Sequence, residues 1–212
     1  MYVSDWMTKK VFTIGPEDYL SDAITLMKEK AIKHLPVVKG GKLKGILSDR
    51  DIKEYSPSKA TTLDIYELHY ILANTRIKEL MKAKVITTAP DTPVEEAAMV
   101  MLDQDIGSLP VVDDGSLCGI ISDKDIFHAL VDITGVRHGG HRIYLTIEDR
   151  PGSIREVADI VRRHGFHLQG ILTSYEWARE GYRKVVIRTT DIGDFRGLKE
   201  ELEENYKNVQ IR

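Results

Sequence analysis

The chain has 212 residues, 42% apolar and 30% charged, and its 30 lysines and arginines against 33 aspartates and glutamates give a net charge of −3. That balance excludes a disordered chain, no apolar run reaches the length of a membrane span, and no block of one sign offers a surface for nucleic acid or an anionic membrane. The length predicts one large domain or two smaller ones, each able to bury a core.

The N-terminal stretch carries Asp5, Lys9 and Lys10 without a continuous apolar run, so it does not read as a secretory signal and a cytoplasmic protein is expected. From Met7 the chain repeats itself. Residues 7–52 align without a gap to residues 81–126 at an offset of 74, with 20 of 46 columns identical, which marks a duplication. Each copy opens with a β-branched stretch, residues 11–14 and 85–88, read as a strand that ends at Pro16 or Pro90. Apolar residues then recur at helical spacing: Leu20, Ala23, Ile24 and Met27 in one copy, and Val94, Ala97, Ala98 and Met101 in the other. Thr92 is the expected cap of the second helix, with Pro93 at its first position. A hairpin follows in each copy, turning at Gly40-Gly41 or Asp114-Gly115, and then a second helix. Cys118, alone in its kind and set in an apolar run, reads as a buried, inert thiol.

The chemistry lies where the hairpin meets the second helix. Gly45-Ile46-Leu47-Ser48-x-x-Asp51 recurs as Gly119-Ile120-Ile121-Ser122-x-x-Asp125, placing a hydroxyl, a carboxylate and a helix N-terminus at a strand end. A carboxylate can accept both hydroxyl protons of a ribose, while hydroxyl, free backbone N–H groups and dipole favour a phosphate that Arg50 or Lys124 would neutralise. The same Ser-x-x-Asp pattern also reads as a capping box, and the residues alone leave both readings open.

Taken with Leu35-Pro36-Val37-Val38 and Leu109-Pro110-Val111-Val112, this pattern resembles the CBS domain over about residues 5–132. CBS repeats pair into modules that often bind adenosine-containing ligands. The resemblance implies that Asp51 and Asp125 hold the ribose hydroxyls and that Ser48 and Ser122 contact phosphate or ribose. Arg50 and Lys124 would then meet phosphate, Thr13 and Thr87 would line the adenine pocket, and Pro36 and Pro110 would supply apolar walls. It also places His34 and Ser108 facing the ligand, so that His34 with Arg50 makes the first site the more basic one; an exposed histidine without a ligand is the alternative for His34. Simple strand and core packing is the alternative for the threonines and prolines.

Between the copies, residues 60–72 carry Ile65, Leu68 and Leu72 at helical spacing, a connecting helix that resembles the connector of acetoin utilisation protein B-like proteins. The glycine-rich stretch 134–141 marks a boundary, and its His138 and His141 lack nearby cysteines or a third ligand, so no metal site is expected. The expected divisions are therefore repeat 1 at 1–57, connector at 58–78, repeat 2 at 79–134, linker at 135–141 and a further domain at 142–212.

In that last domain Ile143, Leu145 and Ile147 alternate along a strand, and Ser153 and Glu156 form the expected capping box of a helix closed by Gly165. Strands at 166–175 and 182–190, a helix on Phe195, Leu198 and Leu202, and an edge strand at 209–212 complete a ferredoxin-like β-α-β-β-α-β order. Asp149-Arg150-Pro151-Gly152-Ser153-Ile154 resembles the Asp-x-Pro-Gly-x-apolar loop of ACT domains. That resemblance implies an amino-acid site at Asp149, Gly152, Ser153 and Ile154, where a glycine without Cβ lets a ligand approach the backbone. A tight turn entering the helix is the alternative.

The fold expected is thus α+β, with paired CBS repeats ahead of an ACT domain. The chain shows no His-Glu-x-x-His, Walker loop or nucleophile elbow, so no enzyme, catalytic residue or catalytic cofactor is expected. AMP, ADP or ATP is the expected regulatory ligand, with an amino acid as a second one. A homodimer acting on an unidentified regulated protein is expected, in acetoin or related carbon metabolism, with neither nucleic acid nor membrane as partner. An assembly protein with vestigial ligand sites is the competing reading.

Overall fold

A computed structural model describes residues 1–55 and 65–212 of the chain. The first repeat contains α1 (Val3–Trp6), α2 (Leu20–Lys30), β1 (His34–Lys39), β2 (Lys42–Ser48) and α3 (Asp49–Tyr55), followed by α4 (Ile65–Asn74). The second contains α5 (Ile77–Leu80), α6 (Val94–Asp103), β3 (Ser108–Asp113), β4 (Ser116–Ser122) and α7 (Asp123–Ile133). The hairpins β1-β2 and β3-β4 share one register, from His34 opposite Ser48 and Ser108 opposite Ser122 to the same bulge after Val37 and Val111. Gly40, Gly41, Asp114 and Gly115 all have positive φ, as a tight two-residue hairpin turn requires.

Two local expectations are corrected. Residues 11–14 and 85–88 are not strands: each makes one parallel bridge, Ile14 to Val37 and Thr88 to Val111. Pro16 and Pro90 follow within two residues and have no N–H to extend the ladder. Pro93 is the N-cap of α6, not its first residue, and the Thr92 hydroxyl instead accepts from the Ala89 N–H at 3.2 Å. Leu72 of the predicted connector packs on the first repeat's core, whereas residues 58–64 and the side chains of Ile65 and Leu68 lie outside the described residues.

The two repeats exchange their opening turns. Ile77 joins the first core with Leu20, Leu35 and Leu47, and Val3 joins the second with Leu109, Val111 and Ile121. A Cβ on Gly45 would lie 2.6 Å from the Met81 sulfur, and one on Gly119 2.4 Å from the Met7 sulfur, so each motif glycine makes room for the other repeat's methionine. Neither repeat buries its core alone.

The chain divides into two units, Met1–Ile126 and Phe127–Arg212, with the division inside α7. In the second unit β5 (Arg142–Glu148), α8 (Ser153–Arg163), β6 (Leu168–Ser174), β7 (Tyr182–Thr189), α9 (Phe195–Asn205) and β8 (Lys207–Ile211) follow in order. The antiparallel sheet runs β6-β7-β5-β8, a ferredoxin-like arrangement whose core is Ile143, Leu145, Ile147, Val157, Val161, Val185, Ile187, Leu198 and Leu202. The His141 ring packs edge-on to Phe166 and lies 4.5 Å from that of Phe195. The expected Ser153–Glu156 capping box does not form. Gly152, at φ 88°, is the N-cap; Arg183 donates to the Ser153 hydroxyl, which itself donates to the Arg150 carbonyl, and Arg150 holds the Glu156 carboxylate. Among the described residues no helix is long and apolar enough to cross a membrane.

Candidate functional site

A cleft of about 600 Å³ lies where the repeats meet, within the size range of small-molecule sites. Its first-repeat wall carries His34, Ser48, Arg50 and Asp51; its second-repeat wall carries Lys82, Val85, Ile86, Gly107 and Ser108. β2 and α3 meet at Ser48, so the Asp51 carboxylate turns back and accepts from the Ser48 N–H at 2.8 Å and from its hydroxyl. The other carboxylate oxygen meets the Lys82 ammonium at 2.9 Å. Burial alone would raise the proton affinity of Asp51, but the hydrogen bonds from Ser48 and Lys82 outweigh it and hold the carboxyl below the usual carboxylate range. Asp51 is 6% exposed and ionised, and its local bonds are those of a cap.

His34 lies across from Gly107, where a Cβ would come 3.2 Å from the imidazole Cε1. Burial lowers its pKa, while the carboxylates of Asp123 and Asp51 oppose that effect. Arg50 pairs with Asp105 at 3.5 Å across the two repeats, both side chains well exposed. The Ser108 hydroxyl, buried in the cleft wall, has no hydrogen-bond partner among the described residues, a costly state for a buried polar group.

Of the residues read from the sequence, the cleft brings together His34, Ser48, Arg50, Asp51 and Ser108. Thr13 and Thr87 are exposed and outside it; Pro36 and Pro110 are buried in their strands. Asp125 repeats the cap, accepting from the Ser122 N–H at 2.8 Å and hydroxyl at 2.7 Å, with Lys124 exposed beside it. Sequence reading missed Lys82, Val85, Ile86 and Gly107. The duplication showed only that Lys82 stands where the first repeat has Thr8, and its approach to Asp51 is a long-range contact between the repeats.

The second unit has its own cleft of about 540 Å³, lined by Glu148, Arg150, Ser153, Glu156, Arg179, Tyr182, Tyr206 and Lys207. Arg150 donates to both Glu156 oxygens at 2.7 Å and to Glu148 at 3.1 Å, which pushes its pKa up. Of the four residues expected to form an amino-acid site, Ser153 lines this cleft. Ile154 packs on the core, Asp149 lies 3.5 Å from Arg183, and Gly152 is exposed with open space where a Cβ would stand. The Cys118 thiol, half-buried, contacts the Val111 carbonyl at 3.4 Å, and burial raises its pKa.

The CBS domain family matches residues 3–58 and 77–132. The CBS domain-containing protein YhcV of Bacillus subtilis is 32% identical over 124 residues, covering 58% of this chain and 81% of its own length. The structure of a protein of Vibrio cholerae provisionally assigned as an acetoin utilization protein (AcuB) is 31% identical, with a TM-score of 0.54, covering 65% of this chain and 95% of the other. The structure of CBSX2, solved in complex with AMP, is 27% identical, with a TM-score of 0.54 over 62% of this chain and 97% of the other. The chain spans under half the length of several longer curated relatives.

Proposed function

The chain belongs to the CBS domain family, and from that premise we propose that it is a regulatory sensor, not an enzyme, whose CBS pair takes an adenine nucleotide at the Asp51 cleft. The observation that carries this reading is the buried, ionised Asp51 beside Ser48 in the wall of a cleft that also presents His34, Arg50 and Lys82. A carboxylate suits the ribose diol, the basic groups suit phosphate, and Val85 and Ile86 offer apolar surface for a base. The AMP held by the related CBSX2 supports the ligand class. Thermal-shift and equilibrium-dialysis measurements with AMP, ADP and ATP test it: binding to the native state raises apparent stability by mass action. Failure of all three to bind would leave the pair as an assembly element.

The finer parts of the proposal rest on separate supports. An ACT-like second unit is supported by its strand order and the Asp149–Ile154 loop, and its mixed-charge cleft beside Ser153 suits the ammonium and carboxylate of an amino acid. Calorimetry against the common amino acids tests that site. A role in acetoin or related carbon metabolism is supported by the likeness to the Vibrio cholerae protein. We expect a homodimer in solution, the commonest symmetric assembly, checked by light scattering against the 24.0 kDa monomer.

A further inference from the structure

We propose that Lys82 makes the Asp51 site selective for a phosphorylated adenosine, by exchanging its ion pair with Asp51 for one with the ligand's phosphate, and that the Asp125 site lacks this selectivity. The inference rests on the reading that Asp51 receives the ribose.

The geometry begins with the exchanged opening turns. Lys82 is pinned beside β2 by reciprocal backbone bonds with Ile46, at 3.1 and 2.9 Å, two residues before Ser48. Its backbone is fixed, but its side chain is 64% exposed and free to swing about its long stem. Thr8 is pinned to Ile120 in the same way, at 3.1 and 2.9 Å, two residues before Ser122. The duplication therefore holds the two backbones alike and gives one an ammonium and the other a short hydroxyl.

A carboxylate has about four acceptor positions. On Asp51, one oxygen already accepts the Ser48 N–H and hydroxyl, and the other accepts from Lys82. A ribose diol brings two donors and finds one position left, so seating it requires Lys82 to leave. Adenosine gives the departing ammonium no new partner. A nucleotide does, because its phosphate accepts the charge-assisted bond that Asp51 gives up. Arg50, paired with an exposed Asp105, is a second cation able to turn to the same phosphate. At Asp125 one oxygen accepts from Ser122 and, among the described residues, no cation competes for the other, so ribose recognition there needs no exchange.

The test compares AMP with adenosine by titration calorimetry in an Asp125→Asn background, where the Asp51 site alone reports. The expected result is a preference for AMP that Lys82→Met reduces by about tenfold, the worth of one charge-assisted bond, while adenosine binds as well as before or better. Lys82→Arg should keep the preference. In the reverse background, Asp51→Asn, Thr8→Lys should create a preference for AMP at the second site. Loss of both ligands in equal measure, or no change in either, on Lys82→Met overturns the inference and leaves the ribose reading standing. If wild type binds neither compound, the ribose reading fails and takes this inference with it.

Discussion

At the end of the first hairpin Asp51 is 6% exposed and paired with Lys82, whereas 74 residues further on Asp125 keeps the same serine donors but has Thr8 where the first site has lysine. The hairpin registers, bulges and exchanged methionines are shared, so the contrast isolates side chains from architecture. Duplication preserved what the core requires and left the cleft positions free to diverge: His34 against Ser108, Arg50 against Lys124, Lys82 against Thr8. A packed core resists change by a single methylene, while a cleft position touches solvent and one ligand.

The largest effects should fall on both halves equally. Leu35→Ala and Leu109→Ala each remove a fully buried side chain from the same register position and should cost about 2 to 5 kcal/mol in urea unfolding. Costs that differ widely between the two would break the claim that the cores are equivalent. Next comes the replacement of the carboxylates. Asp51→Asn should weaken AMP binding at its cleft by about 10- to 150-fold, because asparagine offers one carbonyl acceptor and a donor in place of two ionised oxygens. Since Asp51 also bonds Ser48, unfolding of the unliganded variant must be measured beside binding; a change in stability alone would assign the residue to the cap.

How much of this was readable in the sequence follows from the range of the interactions. Ser48 and Asp51 are three residues apart, and their contact is a local consequence of a strand running into a helix, so the motif announced it. The ferredoxin-like order was equally readable, because alternation along Ile143, Leu145 and Ile147 and the spacing of Leu198 and Leu202 are local patterns. Lys82 reaches Asp51 only because the repeats exchange their opening turns, a long-range event with no periodic signature. The β-branched stretches at 11–14 and 85–88 had strand propensity, yet the prolines that follow limited each to a single bridge. Glu156 had capping spacing from Ser153, but Arg150 offered it a bidentate charged partner.

A smaller effect should distinguish the two motif glycines. A Cβ on Gly45 would meet the Met81 sulfur at 2.6 Å and the Lys82 carbonyl at 3.1 Å, whereas the nearest atoms to one on Gly119 belong to the flexible Met7 side chain. Gly45→Ala should therefore cost about 1 to 3 kcal/mol and Gly119→Ala less, since only the first crowds backbone. Gly45→Ala should also weaken AMP binding by displacing Lys82. Equal costs in thermal unfolding would mean that the methionines absorb both substitutions.

The smallest effect is a pH dependence confined to the first half, where His34 occupies the register position that Ser108 holds in the second. Burial sets the His34 pKa below 6.5, against the opposing carboxylates of Asp123 and Asp51 and with Lys33 and Arg50 adding to the lowering. In the window between the lowered folded value and 6.5 the unfolded chain binds more protons than the native one, so stability rises with pH there and is lost as pH falls through it. Asp51 acts in a separate window: its carboxyl is held below 3.8, so its contribution is present above that value and disappears as pH falls further. Urea unfolding of wild type and His34→Gln, compared at neutral pH and in steps into mild acid, should show the wild-type loss of stability below 6.5 flattened in the variant. Ser108→Ala should leave that slope unchanged, since its hydroxyl does not titrate in this range. An identical slope in His34→Gln would assign the acid sensitivity to another histidine and remove His34 from the contrast between the halves.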